Sequence, residues 1–158
     1  MIVAALHRGP GLPKPRVRRL EVGASGVVGD VNNYRRRRGG DPDMAVSLYS
    51  VELAATIAGE GWPVVAPGAL GENVATRGLD FARLAAGQRW RIGAAVVELS
   101  RKMQPCRTLV ALVGPSNLQA FRSCLRDRRG WYARVVTPGV IVDGDTVEPC
   151  GDAVAAEP

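Results

Sequence analysis

Short apolar runs separated by glycine- and proline-rich breaks fill the chain, and the period within each run predicts its element. "MIVAALH" predicts an opening strand. "RGPGLPKP" predicts a loop behind it, because Pro and Gly punctuate structure rather than extend it. In "RVRRLEVG", Val17, Leu20 and Val22 alternate imperfectly with charge, as in a half-buried strand. "GVVGDVNNYRRRRGGDPD" reads as a long polar connection, and "MAVSLYS" as another β-rich run. "SVELAATIAGEG" switches to a helical period near residues 50–59. Ser50 is its N-cap candidate, Glu52 sits in the first turn, and Gly59 or Gly61 ends it.

The second half is denser in strands. "LGENVATRG", "QRWRIG" and "AAVVELS" are short and glycine-bounded, the last two joined by a Gly-Ala turn. "PCRTLVALVG" predicts a helix start with Pro105 early in it. "PSNLQAFRSCLRDRRG" predicts a helix over 117–127, with Leu118, Phe121 and Leu125 spaced by three and four and Cys124 on the same face. "WYARVVTPG" and "VIVDGDTVEP" complete the strands, with Asp143 and Gly144 as a hairpin turn, and "CGDAVAAEP" reads as a frayed tail. The pattern predicts a mainly β fold: one closed β-barrel domain over 1–158 with a few appended helices, its core about 20–149 and its tail 150–158. No repeat, second domain or strand–GxGxxG–helix unit is present.

Composition narrows this picture. A hydrophobic fraction of 46% in 158 residues supports a real core. No apolar run approaches the ~20 residues that span a bilayer. The apolar start is too short for a signal peptide, so a cytoplasmic protein with no membrane association is expected. Three scattered cysteines (Cys106, Cys124, Cys150) and a single histidine, His7, starve the disulfide, zinc and Cys-His hydrolase readings of partners. His7 follows a strand and reads as structural. The net charge of +6 suits nucleic acid or phosphate-bearing small molecules without choosing between them.

The cysteines differ in setting. Cys124 lies on an apolar helix face and reads as a small core residue, while Cys150 adjoins the tail and is given no role. Cys106, in "SRKMQPCRTLV", follows Pro105 at a strand-to-helix transition with Arg101, Lys102 and Arg107 close by. Positive neighbours and a helix start both favour a thiolate, but free cysteine is also among the most buried residue types, and local physics leaves both readings open. Glu72 and Asn73 in "GENVATRG" suit either a plain turn or a cavity mouth. Asp30 in "GDVNN" carries the same ambiguity. Arg35 to Arg38 read as a solvated loop or as an anion clamp over a cavity.

Six segments in order, "VVGD", "AVSLYS", "PGALGENVATRGLD", "LAAGQRWRIG", "QPCRTL" and "RGWYARVVTPGVIVDGDTVE", resemble the MOSC domain family over about residues 20–149. The resemblance is in particular to the stand-alone bacterial members, of the type that detoxify N-hydroxylated base analogues. The resemblance implies a β-barrel whose pocket binds the molybdenum cofactor, a pterin dithiolene with a terminal phosphate. The family's cysteine falls on Cys106, which would ligate molybdenum in reductase members or carry sulfur in sulfurases. Its Gly-Glu-Asn segment falls on Gly71, Glu72 and Asn73, its Gly-Asp turn on Gly29 and Asp30, and its final Gly-Asp pair on Gly144 and Asp145. Two departures stand out: "GDVNN" lacks the histidine that often follows the turn, and Met103 stands where an arginine often precedes the cysteine.

Three functions follow as expectations. The first is a molybdenum-dependent reductase of N-hydroxylated small molecules, with Cys106 as catalytic metal ligand and Asp30, Glu72, Asn73, Arg101, Lys102 and Arg107 around the cofactor. It needs an external electron-donor protein, since three scattered cysteines cannot build a plant-type iron–sulfur cluster. The second is a sulfur carrier with a Cys106 persulfide. The third is a basic β-barrel binding nucleic acid or another polyanion, against which stands the lack of an interleaved basic and aromatic stripe.

Overall fold

The alternation in "RLEVG" is realised in one strand, Arg19–Gly23: Leu20 and Val22 are buried while Arg19 and Glu21 face solvent. The structure is a computed structural model that describes residues 1–63 and 65–150; the tail expected over 151–158 lies outside the described residues. In chain order the strands are β1 (Ile2–His7), β2 (Arg16–Val17), β3 (Arg19–Gly23), β4 (Gly26–Val27), β5 (Val46–Ser50) and β6 (Val74–Arg77). They continue with β7 (Arg89–Ile92), β8 (Ala95–Lys102), β9 (Trp131–Thr137), β10 (Gly139–Val142) and β11 (Val147–Pro149). The helices are α1 (Asn33–Arg37), α2 (Val51–Gly59), α3 (Val110–Val113) and α4 (Leu118–Cys124), with 3₁₀ turns at Pro42–Met44, Phe81–Arg83 and Arg107–Leu109.

Eight strands form one sheet in the order β11-β7-β8-β9-β5-β6-β1-β2, and β10-β3-β4 form a second. The expected closed barrel is not found; both sheets are open. The ends of the large sheet meet at a single bridge, Ile2 to Thr146, helped by Val3 N–H donating to Asp145 O at 2.8 Å. Closure fails because β1 gives the rest of that edge to β2, through Leu6–Val17 and His7–Arg16. The Asp143–Gly144 hairpin is also corrected. The turn forms, with Gly144 at φ 84°, but its flanking strands part: β10 pairs with β3 and β11 with β7.

Other departures are local. The polar connection holds β4, α1 and a 3₁₀ turn, "RVRRLEVG" divides into β2 and β3, and the helix expected over 117–127 is confined to Leu118–Cys124. The hairpin at Gly93–Ala94 and the helix after Ser50 form as expected, Ser50 Oγ accepting from Leu53 N–H at 3.1 Å. Among the described residues no helix is long and apolar enough to cross a membrane.

The main core joins both sheets through residues such as Leu6, Leu20, Val46, Leu48, Val74, Val97, Leu99 and Ile141. A second core lies under the helices, where Tyr49, Ile57, Leu70, Leu109, Phe121 and Leu125 pack together. Each such large side chain contributes roughly 1.5–3 kcal/mol by leaving water. Met44, Met103 and Tyr132 form a third, small cluster, whose last two members also face the cavity described next.

Candidate active site

Cys106 stands where β8 has ended and the 3₁₀ turn Arg107–Leu109 begins. Each side of this loop is anchored. Met103 N–H donates to Gly130 O at 2.8 Å, and Leu109 is fully buried in the helical core. Cys106 occupies the N-cap position, where its Sγ lies 2.7 Å from Thr108 Oγ1.

Opposite it, Arg129 is buried between α4 and β9, only 7% exposed. Its position is fixed by Gly130, whose φ of +110° suits glycine and whose Cα approaches Leu48 so closely that an added Cβ would lie 2.2 Å from Leu48 O. The guanidinium spans two loops, donating to Gln104 O from Nη1 and to Leu70 O at 2.9 Å from Nη2. Its Nε–H is buried and has no partner among the described residues. Burial pushes the Cys106 thiol up, but the Arg129 charge and hydrogen bonds from Thr108 outweigh it, so the thiol sits below the usual range.

These groups face a cavity of ≈ 490 Å³ that also takes in Leu12, Lys14, Asn32, Tyr34, Gly71 and Tyr132. Among the described residues its wall holds two cations, Lys14 and Arg129, a thiol and no carboxylate. A second cavity, between the start of α2 and residues 78–82, is slightly larger at ≈ 550 Å³. It has no thiol, and its best-placed polar groups are spent: Ser50 caps α2, and Glu52 accepts from Gly78 N–H at 2.9 Å and from Ser50 Oγ at 2.9 Å. Chemistry, not size, picks the Cys106 cavity.

A family model for the MOSC domain matches residues 35–148. The chain belongs to the MOSC domain family. No curated protein matches it. Among solved structures, the YuaD protein of Bacillus subtilis is 21% identical with a TM-score of 0.78, covering 93% of each chain. YiiM of Escherichia coli is 25% identical with a TM-score of 0.70, over 96% of this chain and 71% of that one. YiiM of Geobacillus stearothermophilus is 23% identical with a TM-score of 0.76, over 98% and 77%.

In this MOSC domain the residues singled out in the sequence part company. Asp30 is not on the cavity wall but grips Lys14, which is: Asp30 accepts from Lys14 Nζ at 2.7 and 2.8 Å and from Gly9 N–H at 3.0 Å. Glu72 and Asn73 lie behind the wall. Glu72 Oε1 accepts from Gly68 N–H at 2.5 Å, Oε2 is buried without a partner among the described residues, and burial raises its carboxyl above the usual range. Asn73 ties β5 and β1 to the start of β6, Oδ1 accepting from Ser47 Oγ at 2.9 Å and Nδ2 donating to His7 O at 3.2 Å. Both thus shape the loop that carries Leu70 and Gly71 to the cavity.

The expected cations are elsewhere. Arg101 pairs with Asp41, Lys102 lines the second cavity 3.9 Å from Asp127, and Arg107 is exposed and faces neither cavity. None of Arg35 to Arg38 reaches the cavity wall; Arg35 binds Asp41 O at 2.9 Å and Arg38 stacks 4.7 Å from the ring of Tyr34, which does. Asn32 and Asn33 occupy the wall where family members often place a histidine, and Met103 makes its stretch apolar. Lys14 and Arg129 are the cations that sequence reading missed. No local signal separates Arg129 from its neighbours in "RDRRG", because its burial depends on the distant contact between Gly130 and Leu48.

Proposed function

We propose that this protein binds the molybdenum cofactor in the Cys106 cavity and reduces N-hydroxylated small molecules with electrons from an external donor protein. One observation carries the reading: a thiol held below its ordinary pKa opens on a carboxylate-free cavity of ≈ 490 Å³ beside two buried cations. The donor set fits the cofactor. Among the described residues no three His, Cys, Asp or Glu side chains cluster as a metal site, so this chain offers a metal one soft ligand. A single thiolate suits a metal that brings its own dithiolene sulfurs.

When bound, the cofactor supplies two-electron removal of oxygen: R–NHOH, two electrons and two protons give R–NH2 and water. The chain's residues position and neutralise. Thr108 and Arg129 favour the anionic form of the Cys106 sulfur, and Arg129 braces the loops at Gln104 and Leu70. Lys14, oriented by Asp30, offers an ammonium to the cofactor's anionic part, and Met103 with Tyr132 gives the wall an apolar stretch.

The test is metal analysis of protein purified from a host that makes the cofactor. Near-stoichiometric molybdenum is expected in the parent and a loss of most of it in Cys106→Ser. Molybdenum absent from the parent, with sulfur released from Cys106 by cyanide, would replace this reading with the sulfur carrier.

A further inference from the structure

We infer a second ligand subsite, for a phosphate group, on the far side of the Cys106 loop. Gln104 and Pro105 have two faces. One lines the Cys106 cavity; the other closes a smaller cavity of ≈ 190 Å³ against Gln119, Arg122, Ser123 and Arg126. Positions 119, 122, 123 and 126 follow the spacing of one helical face, so α4 and the turn after it aim their polar side at the loop.

The chemistry of that small cavity is one-sided. Among the described residues it holds two guanidiniums, two carboxamides and a hydroxyl, and no carboxylate. Among the described residues neither Arg122 nor Arg126 takes part in an ion pair, whereas Arg16, Arg89, Arg101, Arg128 and Arg134 all do. The Arg122 Nε–H is buried with no acceptor among the described residues. Burying a donor of a charged group without an acceptor is costly, and an oxyanion in the cavity would provide one. Two arginine forks a turn apart match a tetrahedral dianion better than a carboxylate, since each can present parallel N–H groups to a different pair of oxygens. The space is ample beside the ~30 Å³ that one water takes in the liquid.

The shared wall gives the subsite its meaning. A molecule whose phosphate rests against Arg122 and Arg126 would lie against Gln104 and Pro105, the two residues that also line the Cys106 cavity. The ligand class is a phosphomonoester, carried by the cofactor's own tail or by a phosphorylated substrate. Its connection to Cys106 rests on the proposed function, but phosphate binding itself does not.

The experiment is calorimetric titration of inorganic phosphate into the full chain, purified without cofactor, at low ionic strength. One saturable site is expected. Arg122→Gln with Arg126→Gln should weaken it by at least about tenfold, the loss of one charge-assisted contact or more. Arg36→Gln with Arg37→Gln, exposed arginines lining neither cavity, should leave it within about twofold, and so should Cys106→Ser. An unchanged melting temperature checks that the variants fold. No saturable heat, or equal weakening by both arginine pairs, overturns the subsite. Cofactor-loaded protein then separates the sources: if it no longer binds phosphate the cofactor's tail fills the subsite, and if it still binds, the substrate's phosphate does. A parent that shows no saturable phosphate site when free of cofactor, yet holds molybdenum when loaded, condemns the subsite alone; molybdenum retained by Cys106→Ser condemns the metal-ligand reading alone.

Discussion

At Cys106 three forces compete, and their balance sets its chemistry. Burial opposes a charged sulfur; the Arg129 charge and the Thr108 hydrogen bonds favour it and prevail. Cys124 shows the reverse outcome, its thiol raised by burial despite Arg128 nearby, with Glu60 adding to the rise. Labelling by an alkylating probe follows the thiolate fraction, so Cys106 should gain reactivity at lower pH than Cys124. Removing the guanidinium leaves the burial and takes away the main opposing term. Arg129→Gln should therefore move the Cys106 midpoint upward, whereas Arg129→Lys, which keeps the charge, should move it less. Mass-spectrometric alkylation rates between pH 6 and 10 check this, and an unmoved midpoint in Arg129→Gln would mean that Thr108 alone holds the thiolate. The variant is also expected to lose stability, since Gln104 O and Leu70 O lose donors whose net worth is roughly 0.5–1.5 kcal/mol each.

At the level of elements, what was legible in the sequence is what depends on neighbours in the chain. The start of α2 is an example: Ser50 accepts from Leu53 N–H and donates to Glu52, contacts within three residues that any reader of "SVEL" can anticipate. Ser50→Ala should cost about 1 kcal/mol, read as a lower urea midpoint at unchanged slope; no change would mean that packing of Ile57, not the cap, holds the helix. Elsewhere local signals were right and their long-range consequence was not. Asp143 and Gly144 do turn the chain, but whether a turn joins two paired strands depends on which partners those strands find. β10 finds Leu20 and its neighbours on β3 more than a hundred residues back. Closure of the barrel failed for the same reason, since edge sharing at β1 is invisible to periodicity. Cys106 stood out as a candidate through the family resemblance, since its local charges left it open; those charges, Arg101, Lys102 and Arg107, lie off the cavity wall, and the cation acting on it comes from residue 129, which only the fold brings near.

Over the whole molecule, the positive charge is not spread evenly in effect, because five arginines away from the Cys106 cavity are paired with carboxylates. They are Arg16, Arg89, Arg101, Arg128 and Arg134; of the two cations beside Cys106, Lys14 is held by Asp30 behind the wall, and Arg129 is in no ion pair among the described residues. The two large cavities therefore make opposite demands on mutagenesis. Lys102, 39% exposed beside the second cavity, and the exposed Arg107 are worth little to stability. Lys102→Ala with Arg107→Ala should keep the parent's molybdenum content. Lys14 is different: its ion pair with Asp30 is nearly sheltered from water, at 5% and 11% side-chain exposure. Removing Lys14 alone would strand a buried carboxylate, a change that typically costs about 3–5 kcal/mol. Replacing both partners, Lys14→Met with Asp30→Asn, takes away the cation without leaving a lone charge, and such paired replacements are often close to neutral for folding. This second double variant should melt near the parent and yet lose most of its molybdenum when purified from a cofactor-making host. The opposite pattern, with molybdenum lost from the Lys102 and Arg107 variant and kept by the Lys14 and Asp30 variant, would move the cofactor to the cavity beside α2 and leave Cys106 without a metal.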